Sequence, residues 1–139
     1  MTGRTLIGSV LVMERGQGAT SVQEYFELAP PDQAAAIRLV FDRIKAHVPD
    51  AGEHFAYGIP IVDYRGKGLV GVSVATKHCS LHLMSPPAAK ALKDGLTEGK
   101  VSGATVQFPA SAPLSDETIR LIVEHRIAEV DARMGGAGR

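Results

Sequence analysis

The stretch Val70-Gly71-Val72-Ser73-Val74-Ala75 sets the tightest limit on what this chain can become. Valine alternates with small residues at a period of two, which is the pattern of a half-buried strand. Around it, Gly58, Pro60, Gly66 and Gly68 punctuate β-branched runs between Phe55 and Met84. Tyr64-Arg65-Gly66-Lys67 reads as a hairpin turn. A second turn near Lys77 and His78 returns the chain into Cys79-Ser80-Leu81-His82-Leu83-Met84. An antiparallel run of strands therefore occupies the middle of the chain.

Helical patterns flank it. Ser21-Val22-Gln23-Glu24 is a capping box, in which the serine accepts from the Glu24 amide and Glu24 reaches back. A short helix runs from there to Ala29, and Pro30 and Pro31 stop it. Asp32 starts a longer helix with Ile37, Val40, Phe41, Ile44 and Val48 on one stripe, ended by Pro49 and Asp50. Ser85-Pro86 has the form of an N-cap and first helical residue, followed by Ala88, Leu92 and Leu96. Thr105-Val106-Gln107-Phe108 is a short strand closed by Pro109. In the last helix, Leu114 and Ile119 bracket Ser115 as a hydrophobic staple, and Ile119, Ile122, Val123, Ile127 and Val130 form the buried stripe. This order implies an α+β domain: an antiparallel sheet with helices packed on one face and the other face open to solvent.

At 139 residues there is room for one core, and a hydrophobic share of 45% with 22% charged residues is that of a folded globular chain. The domain is expected over residues 21–130, with a fraying Gly-rich tail at 131–139. Residues 1–20 read as a tail or an extra edge strand, or as the product of a start placed before Met13. The Leu6–Met13 run lacks the basic start and cleavage site of a signal peptide. Fifteen Lys and Arg balance fifteen Asp and Glu, so the basic excess of a nucleic-acid-binding surface is missing. No apolar run reaches the roughly 20 residues that span a bilayer. Cys79 is the single cysteine, which leaves no internal disulfide and no multi-Cys zinc site. A cytoplasmic protein is expected.

Several residues could carry chemistry. His78 and His82 would share a face on a helix, but on a strand they stand about 13 Å apart at roughly 3.3 Å per residue. A shared ion needs each nitrogen within about 2 Å. Cys79 shares its register with Leu81 and Leu83 and reads as a buried thiol. Asp50, Glu53 and His54 fall between helix and strand, and their oxygen and imidazole donors suit a divalent ion such as iron or manganese. No nucleophile elbow, P-loop or dinucleotide fingerprint is present. Tyr57-Gly58-Ile59-Pro60 reads as a strand bend or as a shaped rim where Tyr57 lines a groove, with Gln107-Phe108-Pro109 as its far wall.

In chain order, Ser21-Val22-Gln23-Glu24-Tyr25, Tyr57-Gly58-Ile59-Pro60, Gly66-Lys67, Lys77-His78 with Leu81, Thr105-Val106-Gln107-Phe108-Pro109, Pro113-Leu114, and Ile122-Val123 with Arg126 form an ordered set. This set resembles the DUF1801 family, also called YdhG-like, over residues 21–130. The resemblance implies a compact α+β domain with a curved antiparallel sheet and flanking helices. It implies no established enzymatic activity. Some members of that family are described as frataxin-like intracellular iron chaperones, which would make iron the cargo. The sequence departs from the family at Gly103, where a lysine is frequent, and in its even charge balance.

Three functional expectations follow. The first is a cytoplasmic binding domain without catalysis, its site on the exposed sheet face and rim at Tyr57, Pro60, Lys67, Lys77, His78 and Gln107. The partner would be a small ligand or a protein. Iron handling is its most specific form, with Asp50, Glu53 and His54 as ligands. The second is a small enzyme using His78 as acid or base near Tyr57. The third is an interaction module that forms a homodimer through a sheet edge or through Leu6–Met13.

Overall fold

The structure is a computed structural model, and it describes residues 18–134. The Leu6–Met13 segment and the tail after Met134 lie outside the described residues.

Helix α1 spans Val22–Leu28 and α2 spans Pro31–Ala46. Ser21 caps α1 as expected, its Oγ accepting from the Glu24 amide at 3.1 Å. The return bond differs from the expected box. Glu24 accepts from the Thr20 backbone N–H at 2.6 Å and the Thr20 hydroxyl at 2.8 Å, one residue further out. Helix α2 starts at Pro31 rather than Asp32, because proline suits a first-turn position whose N–H has no intrahelical partner.

Six strands follow: β1 Gly52–Ala56, β2 Ile59–Tyr64, β3 Lys67–Val74, β4 Cys79–His82, β5 Lys100–Ser102 and β6 Thr105–Phe108. They form one antiparallel sheet in the order β1-β2-β3-β4-β6-β5. Helix α3, Pro86–Leu92, sits between β4 and β5, and α4, Asp116–Arg133, closes the chain. Leu96 falls beyond the end of α3, so its place on that helix is corrected. The first strand begins three positions earlier than the β-branched pattern suggested.

Two tight turns give the sheet its start. Tyr57 and Gly58 have φ of 56° and 76°, and Arg65 and Gly66 have φ of 54° and 77°. Two left-handed residues in a row match the right-handed twist of the flanking strands. Between them, Val62 pairs with Val70 and Asp63 with Gly68, so Leu69 is an extra residue. This bulge bends β3 and lets two consecutive side chains, Leu69 and Val70, both face the core. Both are fully buried.

The helix-facing side of the sheet presents Val62, Leu69, Val70, Val72, Leu81, Val106 and Phe108. Ile37, Val40, Phe41 and Ile44 of α2 and Ile119, Ile122 and Val123 of α4 pack against them. A slip of one residue in β3 would turn its valines away from this layer, which is why the alternation is binding on the register. Tyr25 of α1 is buried there, with its hydroxyl accepting from the Val74 amide at 3.0 Å. Cys79 is likewise buried on that side. The opposite side carries a row across all six strands: His54, Ile61, Gly71, His82, Thr105 and Ser102. No helix among the described residues is long and apolar enough to cross a membrane.

Candidate ligand cleft

The last helix places a charge where its pattern calls for an apolar residue. Ile119, Ile122, Val123, Arg126 and Val130 follow the helical repeat and are buried, whereas Ile127, expected on that stripe, is only partly buried. A buried guanidinium is tolerated only when its donors are used and its charge is balanced. Arg126 Nε donates to the Leu69 carbonyl at 3.0 Å and a terminal nitrogen donates to the Gly68 carbonyl at 3.3 Å. These are the two carbonyls at the β3 bulge. The other terminal nitrogen meets Glu129 at 2.7 Å. Glu129 also accepts from the Ser85 hydroxyl at 3.2 Å, which ties α4 to the cap of α3. Burial alone would raise the Glu129 pKa, but the hydrogen bonds from Arg126 and Ser85 hold it below the usual carboxylate value.

This clamp forms one wall of a cleft of about 510 Å³. Val130, Arg133 and Met134 continue that wall along α4. Lys67 and Gly68, the first residues of β3, and Met84, just after β4, line the floor. His54 of β1 and Tyr57 of the first turn complete the rim. The size is that of small-molecule sites in general. A β-carbon at Gly68 would lie 3.4 Å from both Met84 Cε and Ile61 Cγ2, at the close end of ordinary van der Waals contact.

The charges at the cleft are unevenly matched. His54 Nδ1 lies 2.8 Å from Asp63 Oδ2, and Arg126 is matched by Glu129. Arg65, on the neighbouring turn, pairs with Asp131 at 2.9 Å. Tyr64 donates to the same carboxylate at 2.8 Å, and these two bonds hold Asp131 below its usual pKa. Lys67 and Arg133 have no ion pair among the described residues. The cleft therefore keeps two unmatched cations beside the apolar surface of Met84, Val130 and Met134.

Of the residues singled out from sequence, the cleft brings together Tyr57, Lys67 and His54. Pro60 is buried within β2, opposite Phe55, and is a sheet component rather than a rim. Lys77 and His78 occupy the turn between β3 and β4, where the His78 carbonyl accepts from Ala75 at 2.8 Å and from Gln33 at 3.2 Å. His78 does not line the cleft with Tyr57. Gln107 lies on β6 opposite Ser80, on the side of the sheet away from the helices. His82 is there too, 2.7 Å from the Ser73 hydroxyl, with its pKa lowered by burial.

Asp50, Glu53 and His54 are not gathered. Glu53 and His54 are adjacent on β1, so their side chains leave opposite sides of the strand. Glu53 turns to the helices and meets Lys45 Nζ at 2.7 Å, while His54 turns to Asp63. Asp50 sits in the turn before β1 with φ of 50°. Among the described residues, no group of three or more His, Cys, Asp or Glu side chains is arranged to hold a metal ion.

Gly68, Met84, Arg126, Val130, Arg133 and Met134 did not figure among the candidate site residues. Arg126 alone left a trace in the sequence, as a charge on the apolar stripe of the last helix. The others meet only through the approach of α4 to β3.

No family model matches the chain, and no curated protein matches it. A solved structure does. The crystal structure of a DUF1801-family protein, YdhG from Bacillus subtilis, superposes with a TM-score of 0.71. It covers 81% of this chain and 92% of that one, at 18% sequence identity. The chain has the YdhG-like fold. The likeness is one of fold, and it agrees with the α+β architecture and antiparallel sheet expected from sequence. Within this YdhG-like fold Gly103 forms the β5–β6 turn with φ of 59°, a conformation that a lysine would hold only with strain.

Proposed function

We propose that this chain is a cytoplasmic member of the DUF1801 family that binds a small anionic molecule, and that the cleft between β3 and the end of α4 is its site. The carrying observation is that Lys67 and Arg133, which have no ion pair among the described residues, line one concave surface together with Met84, Val130 and Met134. Both side chains are exposed, and two like charges lining one concave surface attract an anion more strongly than either alone. Among the described residues four non-glycine residues have positive φ, and two of them, Tyr57 and Met84, also line it. Such backbone strain persists where surrounding structure enforces it, and binding sites are common among those places.

The test is a panel of small carboxylates and phosphates added to the labelled full chain, followed by amide resonance shifts. Binding should move Lys67, Gly68, Met84 and Val130 together. Replacing Lys67 and Arg133 by glutamate should weaken that binding by at least roughly tenfold. Shifts confined to Lys77, His78 and Gln107, or binding indifferent to the charge reversal, would overturn the assignment of the cleft.

A further inference from the structure

Tyr57 occupies the first central position of a two-residue hairpin turn, with φ of 56°. Asparagine or aspartate followed by glycine is what this turn prefers, because a bulky residue in the left-handed region is strained. Such strain persists only where the surrounding structure enforces it. Tyr57 is 87% exposed, the most exposed of the large hydrophobic residues described. Its ring stacks on no other aromatic among the described residues. The folded chain thus holds a large flat apolar surface at the rim of the cleft and gains almost nothing from it by itself.

We infer that Tyr57 is a stacking platform and that the ligand of the cleft is an aromatic or heteroaromatic anion, its ring on Tyr57 and its carboxylate or phosphate toward Lys67 and Arg133. This rests on the cleft being the ligand site and adds the chemical class. An aromatic ligand supplies the partner face that the tyrosine ring lacks in the free protein. Met84 adds a polarizable thioether, which is favourable against a ring edge. An aliphatic anion would satisfy the cations equally but would leave the ring's quadrupole and planar shape unused.

The experiment compares two probes of equal charge, naphthoate and octanoate, on the full chain and on Tyr57→Asn, Tyr57→Phe and Lys67→Gln/Arg133→Gln. Binding is read by calorimetry and amide shifts. Tyr57→Asn should weaken naphthoate roughly fivefold to tenfold, the range expected for one aromatic pair, while changing octanoate less than about twofold. Tyr57→Phe should keep naphthoate binding within about twofold, since the ring and not the hydroxyl is used. Tyr57→Asn should also raise the folding equilibrium constant about fivefold, because asparagine accepts the left-handed turn more readily. That gain shows that lost binding is not lost folding. If Tyr57→Asn leaves naphthoate binding intact, or weakens both probes alike, the stacking role is overturned. The cleft assignment stands in that case provided the double glutamine variant weakens both probes. If neither probe binds, or the double variant changes nothing, both readings are overturned together.

Discussion

Replacing Arg126 by methionine is the most informative perturbation of this fold. Methionine keeps most of the side chain's length and apolar contact, so the change isolates the hydrogen bonds and the charge. Arg126 makes two bonds to backbone carbonyls and one to Glu129. The Leu69 carbonyl belongs to a fully buried residue, so losing its donor leaves a buried acceptor unpaired, at about 1–3 kcal/mol. Gly68 is only partly buried, and water can replace that donor at little cost. The Glu129 side chain retains 25% exposure, so its stranded charge is partly resolvated and costs less than the 3–5 kcal/mol typical of a fully buried pair. The sum is about 3 kcal/mol, a large share of the roughly 5–15 kcal/mol available to a domain. Urea unfolding followed by circular dichroism measures it, with an unchanged slope required for the comparison. A second variant, Arg126→Met with Glu129→Gln, separates the two sources. If the stranded carboxylate dominates, the second change restores most of the loss; if the Leu69 carbonyl dominates, it restores little. A single-variant loss under about 0.5 kcal/mol would refute the reasoning, because it would mean that neither the bulge carbonyls nor Glu129 depend on this guanidinium.

Four further outcomes are expected. Glu98 accepts from the Ser115 hydroxyl, the Thr118 hydroxyl and the Ser115 amide, and these bonds hold its pKa below 4.5. Its stabilising contribution is therefore complete above 4.5 and is lost as pH falls through the lower folded value, so Glu98→Gln should flatten that part of the acid limb in pH-dependent unfolding. Cys79 is buried, and burial pushes its thiol up to about 11, so a thiol reagent should label it only after denaturant is added; rapid labelling of the native protein at neutral pH would contradict this. Gly99→Ala should cost about 2–4 kcal/mol in urea unfolding, since φ is +76° and a β-carbon would sit 2.6 Å from Val106 Cγ1 and 3.2 Å from the Gln107 carbonyl. In an anaerobic Fe(II) titration, alanine at Asp50, Glu53 and His54 together should leave any uptake unchanged, because β1 directs Glu53 and His54 to opposite sides; loss of a stoichiometric site would restore the iron-ligand reading of those residues.

The elements that could be recognised in advance are those whose signal is local. Ser21 and Ser85 accept bonds from the amides three residues on, as N-caps do. The turns at Arg65-Gly66 and near Lys77 lie where glycine and polar residues interrupt the β-branched runs. The valines of β3 face the core as their alternation requires. What escaped was β1 and β5, which have little apolar alternation. Gly52, Glu53 and His54 are all exposed, so β1 is held as an edge strand chiefly by its pairing with β2, with Phe55 its one residue packed against the core. Lys100–Ser102 is likewise held by β6.

The site divides along the same line. By itself the sequence determined that there would be an antiparallel sheet with one helix-covered face, that Cys79 would lie inside, and that Lys67 would close a hairpin turn. These follow from periodicity, caps and turn chemistry, which act within a few residues. The cleft was decided only in three dimensions. The Leu69 bulge changes the facing of β3 by one residue, α4 then reaches the freed carbonyls with Arg126, and Lys67 and Arg133 become neighbours of one cavity although 66 positions separate them in the chain. Glu53 and His54 show the converse, since neighbours in sequence are sent to opposite faces by the pleat. Ligand sites depend on which faces meet, and that depends on strand parity and helix packing, neither of which any short stretch of residues contains.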